Sequence, residues 1–310
     1  GKWFDISLCL QGGTAGSISR TVVAPWERAK ILQQTEAILG GNEARGQKKV
    51  GLNETLVRIW REDGIKGLFR GNLSNVYRVY PYMAIHFALF ERFKAWRRNE
   101  GKKVGTFERF WGGGLCGMAA MTATYPLDVV RGRISTQKEG KTARVYKGVG
   151  DAILSIAKEE GVVKGLWRGA SVSVIGIFPY LGTQMAAYAS VRDYLVTALG
   201  VASTNDLPTL ATLGAGAVAG AAGQTVAYPF DLLRRRIQVA SFSTAANAQE
   251  EAAIYQGSML RAFRHIVQVE GIRGLYRGLF ANYMKIAPSM AVNFLVYERC
   301  RQLFGLKASQ

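Results

Sequence analysis

The chain has 310 residues, 48% hydrophobic and 20% charged, with 40 Lys+Arg against 22 Asp+Glu and a formal net charge of +18. It is too apolar for a disordered basic tail, and three scattered cysteines with only two histidines argue against a disulfide scaffold or a metal site. A mean hydropathy of +0.03 is high for a basic soluble protein and low for bare apolar membrane spans.

In chain order, the first predicted element is a helix with a small-residue stretch, Gly12 to Val23, that runs into Pro25-Trp-Glu27-Arg-Ala-Lys30. A polar loop follows, then a short amphipathic segment from Glu54 to Asp63, and the pairs Asp63-Gly64 and Arg70-Gly71. A second long helix, Leu73 to Trp96, carries Pro81. The same order then starts again. A small-residue helix, Gly112 to Tyr125, leads to Pro126-Leu-Asp128-Val-Val-Arg131, followed by Glu160-Gly161, Trp167-Arg168-Gly169 and a helix with Pro179. The third pass gives Thr209 to Tyr228, Pro229-Phe-Asp231-Leu-Leu-Arg234, Glu270-Gly271, Tyr276-Arg277-Gly278 and a helix from Ala281 to Phe304 with Pro288. Six of the seven prolines thus occupy equivalent places. Residues 1–310 read as a single domain of three repeats, 5–100, 106–198 and 207–305.

Two long helices per repeat give an all-α membrane protein of six transmembrane helices with short surface helices between them. Each is long enough for a hydrocarbon core of about 30 Å, and small residues at helical spacing let backbones pack closely. Arg20, Arg78, Arg235 and Lys285 fall within or at the edge of these spans. A basic residue facing lipid costs about 2.5–3.5 kcal/mol, so these four are expected to line an aqueous, positive interior. The long loops within each repeat hold the excess of Lys and Arg, which places them on the inner side. Gly112 to Gly117 formally satisfies G-x-G-x-x-G but lies in a predicted helix with no preceding strand. With no P-loop and no Ser/His/Asp set, no enzyme is expected. The basic charge recurs at repeat positions rather than on one face, so no nucleic-acid partner is expected either.

Three copies of P-x-[DE]-x-x-[KR], each followed by [DE]-G and then [FWY]-[KR]-G, resemble the mitochondrial carrier family over about residues 5–304. The resemblance implies a multi-pass protein of the mitochondrial inner membrane, with helices about a pseudo-threefold axis, a central substrate site and alternating access. It implies an inner (matrix) gate in which Glu27, Asp128 and Asp231 meet Lys30, Arg131 and Arg234 of neighbouring repeats. Prolines that kink the helices would bring these charges together. Gln34 and Gln238 stand where the family has a bracing glutamine, whereas the second repeat has Ser135. The outer (cytoplasmic) gate would use Glu91, Lys94, Arg192, Glu298 and Arg301; Ala189 stands where a third acid is expected, leaving that gate one pair weaker.

The same resemblance assigns substrate contacts to Arg78, to Gly176 with Ile177, and to Lys285. Tyr180 would stack on a base, and Arg20 and Arg235 would add phosphate contacts. Two cations call for an anion, and a glycine beside an aliphatic residue leaves a flat apolar slot, which the resemblance associates with an adenine ring. The expected substrate is an adenine-containing phosphorylated anion: coenzyme A, an adenine nucleotide or adenosine phosphosulfate. The third motif continues Arg234-Arg-Arg236-Ile, unlike the methionine-rich continuation in ADP/ATP exchangers. With no EF-hand motif in these residues, a calcium-regulated form is not expected. The resemblance also implies cardiolipin at Arg70, Gly71, Gly148, Arg168, Gly169, Gly257, Arg277 and Gly278, through backbone N–H groups at helix N-termini. No cofactor is expected, and the chain would be monomeric unless incorporated in a larger assembly. A carrier-fold structural subunit is the rival; retention of Arg78 and Lys285 favours transport.

Overall fold

The computed structural model describes residues 2–35, 38, 51–99, 106–137, 146–201, 207–240, 253–255, 257–285, 288–289 and 292. Among them the regular structure is helical, with no strand. The helices are α1 (Lys2–Thr35), α2 (Leu52–Leu68), α3 (Asn72–Asn99), α4 (Thr106–Ala123), α5 (Tyr125–Thr136), α6 (Val149–Glu159), α7 (Val162–Leu166), α8 (Ala170–Leu199), α9 (Thr209–Ala240), α10 (Met259–Glu270) and α11 (Leu279–Met284), with a 3₁₀ turn at Ile272–Tyr276. The predicted helix from Ala281 to Phe304 lies largely outside the described residues.

The chain gathers into two compact units. The first comprises Gly1–Arg28, Leu56–Arg168 and Pro288–Gln310; the second comprises Ala29–Thr55 and Gly169–Ala287. In the first, α3 packs on α4 and α5, and α5 packs on α6. Its interior includes Ala120, Tyr125, Val129, Val130, Ala152 and Ile156, all buried. In the second, α8 packs along α9, and Val172, Tyr228, Leu232, Leu233, Ala262, Ile266 and Leu275 form one apolar cluster.

The repeated glycines have a backbone reason. Gly64, Gly161 and Gly271, from the [DE]-G pairs, have φ of +67°, +83° and +72°. Gly71, Gly169 and Gly278, from the [FWY]-[KR]-G triplets, have φ of +85°, +81° and +83°. A side chain at such φ clashes with the backbone, so each repeat turns twice where only glycine turns without strain. Gly64 interrupts α2, while Gly169 and Gly278 head α8 and α11.

The prolines act differently. Pro25 and Pro229 sit inside continuous helices α1 and α9, but in the second repeat the predicted kinked helix is two helices, α4 and α5, parted at Thr124. Pro126 has no N–H to donate to the Thr122 carbonyl four residues back. That carbonyl instead accepts a hydrogen bond from the Trp167 indole, N···O 2.9 Å. Among the described residues, the span long and apolar enough to cross a membrane is Val162–Leu199, which contains α8. From Ala170 to Val191 it carries no Asp, Glu, Lys or Arg.

Candidate functional site

In the first unit three helices bring charged groups together. Helix α1 supplies Arg20 and Glu27, α3 supplies Asn75 and Arg78, and α5 supplies Asp128 and Arg131. Spacings of seven or three residues put each set on one helical face. Arg131 is ion-paired with Glu27. Asn75, 3% exposed, ties this pair together: its Oδ1 accepts from Arg131 at 3.0 Å and its Nδ2 donates to Glu27 at 3.3 Å. Arg20 donates to the same Asn75 oxygen at 3.4 Å. Arg78 is ion-paired with Asp128, whose side chain is 0% exposed. These contacts group three guanidinium ions with two carboxylates, an arrangement suited to holding a further anion.

The second unit repeats the theme. Lys30 Nζ lies 2.6 Å from Asp231 Oδ2, and Asn282 Oδ1 accepts from the same ammonium at 3.0 Å. Asn282 Nδ2 donates to Gln224 at 2.9 Å. Lys30 also stands 5.2 Å from the ring centre of Tyr228, whose hydroxyl donates to the Arg277 carbonyl at 2.7 Å and accepts from Gln34 at 3.0 Å. The glutamine expected to brace the gate thus grips the tyrosine beneath the lysine. Gln238 is fully buried and accepts from Arg235 at 3.0 Å, so Arg235 is engaged along its own helix. Arg234 lies half-buried on α9, and Lys285 lies at the C-terminal end of α11.

Several sequence expectations meet a different arrangement. Asp128, assigned a motif cation in the symmetric ring, also meets Arg78 of α3, which was assigned to the substrate. Gly176 is buried, and a Cβ on it would come within 2.8 Å of Phe230, so the missing side chain serves packing of α8 against α9. Ile177 and Tyr180 follow on α8, both half-buried. Ser135 lies beside Gly71, as Gln34 lies beside Gly278. Of the outer-gate residues, Glu91 and Lys94 pair with each other along α3, and Arg192 lies over its own helix's Tyr188 at 5.4 Å. Glu298 and Arg301 lie outside the described residues.

The basic residues of the [FWY]-[KR]-G triplets face the acids of the [DE]-G pairs. Arg168 is 3.1 Å from Glu160, while Arg70 and Arg277 are each 3.8 Å from Asp63 and Glu270. Gly148 caps α6 with extended backbone, and the Gly257 N–H already donates to the Ala253 carbonyl at 3.1 Å.

Asn75 and Asn282 escaped the sequence analysis, although both stand six residues before the proline of their helix; Ser173 holds the third place. So did three anchoring arginines. Arg133 and Arg236 each make a two-pronged pair, with Glu160 and Glu270, and Arg28 pairs with Asp63. Tyr146 and Tyr255 lie beside the first two at 3.4 and 3.3 Å, and burial raises the Tyr146 pKa.

Comparison with known proteins follows the same threefold division. A family model described as mitochondrial carrier protein matches residues 5–101, 102–199 and 205–308. The chain is 36% identical over 311 residues to the mitochondrial adenine nucleotide transporter ADNT1 of Arabidopsis thaliana, covering 96% of this chain and 86% of the relative. It is 35% identical over 306 residues to the human mitochondrial adenyl nucleotide antiporter SLC25A24, covering 99% of this chain and 59% of that relative. It is also 35% identical over 307 residues to mouse solute carrier family 25 member 16, covering 96% of this chain and 88% of the relative.

Proposed function

The chain belongs to the mitochondrial carrier family, and on that premise we propose that it exchanges an adenine nucleotide across the mitochondrial inner membrane by alternating access. The observation that carries the proposal is the grouping of Arg20, Arg78 and Arg131 around Glu27 and Asp128. Three guanidiniums against two carboxylates, on long helices of a membrane protein, hold excess positive charge that an anion relieves. A phosphate group matches the guanidinium fork in shape and charge. Two relatives named for adenine nucleotides direct the choice among anions.

In this mechanism the pairs Glu27–Arg131 and Lys30–Asp231 hold the inner gate closed, and substrate binding at Arg78 and Lys285 supplies the energy to open it. The cytoplasmic gate, with Ala189 in one acidic place, offers less resistance. Cardiolipin bound at the glycine-headed termini of α6, α8 and α11 would steady the repeats, since exposed N–H groups and the helix dipole favour a phosphate there. The structural-subunit alternative is not favoured by relatives named as a transporter and an antiporter.

The test is uptake by liposomes containing purified protein and preloaded with AMP, ADP, ATP, coenzyme A or adenosine phosphosulfate. Adenine nucleotides are expected to exchange. Arg78→Ala and Lys285→Ala should each lower kcat/KM by about tenfold to a hundredfold while leaving a folded protein, as loss of a charge-assisted bond of about 1.5–3 kcal/mol requires. Absence of exchange with every compound would return the scaffold alternative.

A further inference from the structure

The proline of the second repeat leaves α4 with a carbonyl to satisfy. Pro126 is the second residue of α5, where a missing N–H costs that helix nothing. The loss falls on α4, whose Thr122 carbonyl meets no N–H four residues on. Nearby hydroxyls serve other groups: Thr122 Oγ1 donates to the Met118 carbonyl and Thr124 Oγ1 to that of Ala120, both at 2.9 Å. The Leu127 N–H donates to the Thr124 carbonyl, three residues back, at 3.2 Å. The donor that reaches the Thr122 carbonyl is the Trp167 indole, at 2.9 Å. Trp167 caps the C-terminal end of α7. Its neighbour Arg168 lies 3.1 Å from Glu160, the carboxylate that Arg133 of α5 holds with two prongs. The indole therefore belongs with α5 and the carbonyl with α4, so this hydrogen bond crosses the break at Thr124.

We propose that Trp167 is a positioning residue of the inner gate: its N–H replaces the hydrogen bond that Pro126 cannot make and fixes the angle between α4 and α5. Asp128 and Arg131 lie on the first two turns of α5, so that angle sets where both charges stand. The inference rests on the gate role proposed above for these residues and adds what holds them in place. Thr124 has φ −93° and ψ 4°, between the helical and extended regions, and a single such residue lets one helix turn against the next. Within a bilayer a carbonyl freed by proline takes its partner from a neighbouring segment, because water is not there to serve it. The indole is that partner. As the gate opens, α5 turns against α4 and the indole leaves Thr122; as it closes, the bond forms again.

Hydrogen–deuterium exchange of the purified carrier without substrate, followed by mass spectrometry, tests the latch. Trp167→Phe keeps an aromatic ring and removes the donor. It is expected to speed exchange of the amides from Thr124 to Val130 about twofold to tenfold, the factor that one hydrogen bond is worth. In a Pro126→Ala background, where position 126 supplies its own N–H to Thr122, that increase should vanish. No increase in Trp167→Phe overturns the proposal. An increase that persists beside Pro126→Ala overturns it too, since that is lost packing. Should Pro126→Ala not fold, the ultraviolet resonance Raman difference between wild type and Trp167→Phe replaces it: the band of a hydrogen-bonded indole N–H is expected, and that of a free N–H overturns the proposal. In liposomes Trp167→Phe should lower the maximal ADP exchange rate about twofold to tenfold and leave KM nearly unchanged. An unchanged maximal rate in a variant whose amide exchange has risen overturns the gate role. If wild type exchanges no adenine compound, the proposed function fails, while amide exchange still decides whether the indole sets the angle between α4 and α5.

Discussion

The second and third repeats fasten their odd helix to the following segment with the same three residues, Arg133, Tyr146 and Glu160 in one and Arg236, Tyr255 and Glu270 in the other. In the first repeat all three positions differ: Leu32 stands seven residues after the proline, Lys49 replaces the tyrosine, and Asp63 replaces the glutamate. The anchor nonetheless persists. Arg28, one helical turn earlier, pairs with Asp63 at 2.5 Å and also donates to the Gly67 carbonyl. Its Nε donates to the carbonyl of Ser135, nine residues after Pro126, just as Arg236 Nε donates to that of Gln34, nine residues after Pro25. Moving the guanidinium back one turn keeps it on the same helix face and preserves both the acid and the carbonyl it serves. The anchor is defined by the groups it must satisfy, and two helix positions can satisfy them.

The two versions should differ in strength, because their acids differ in surroundings. Arg236 is 1% exposed and holds Glu270 with both prongs. Replacing it by leucine, the residue native at position 32, should cost about 3–5 kcal/mol by leaving a largely buried carboxylate without its main partner. Thermal unfolding in detergent would report it as a large fall in Tm. Arg28→Leu should cost less, about 1.5–3 kcal/mol, because Arg28 meets Asp63 through one nitrogen where Arg236 uses two, each acid keeping a second arginine at 3.8 Å. Equal losses in the two variants would mean that the second prong adds nothing and that the comparison is wrong. Tyr255→Phe should show the smallest effect, about 0.5–1.5 kcal/mol, since its hydroxyl contact to Arg236 is long at 3.3 Å. A loss as large as that from Arg236→Leu would make the tyrosine, absent from the first repeat, the true centre of the anchor.

Much of the fold was legible because repetition and backbone chemistry mark it directly. The prolines located the motif helices, and the paired glycines located the turns. The break at Thr124 was not legible: Pro25 and Pro229 have the same missing N–H, and only the second repeat has Trp167 placed to satisfy the freed carbonyl at 2.9 Å. For the candidate site, the charged residues at motif positions could be found by counting, but Asn75 and Asn282 could not be singled out as polar clamps. An asparagine before a proline is unremarkable until an ion pair is seen against both ends of its amide. Gly176, a position assigned to a base-binding slot, shows what counting does not reveal: a side chain there would meet Phe230.

By itself the sequence determined three repeats, helical backbone throughout the described residues, and glycine at the turns. These follow from local constraints: left-handed φ admits glycine readily and few other residues, and proline offers no hydrogen to the helix. The tertiary structure alone decided which cation each acid holds. Asp128 faces a choice among several basic residues on different helices, and separations of a few ångströms set the outcome, since ion-pair strength depends on both distance and burial. That packing sets Arg78 against Asp128, which joins the proposed substrate contact to the gate.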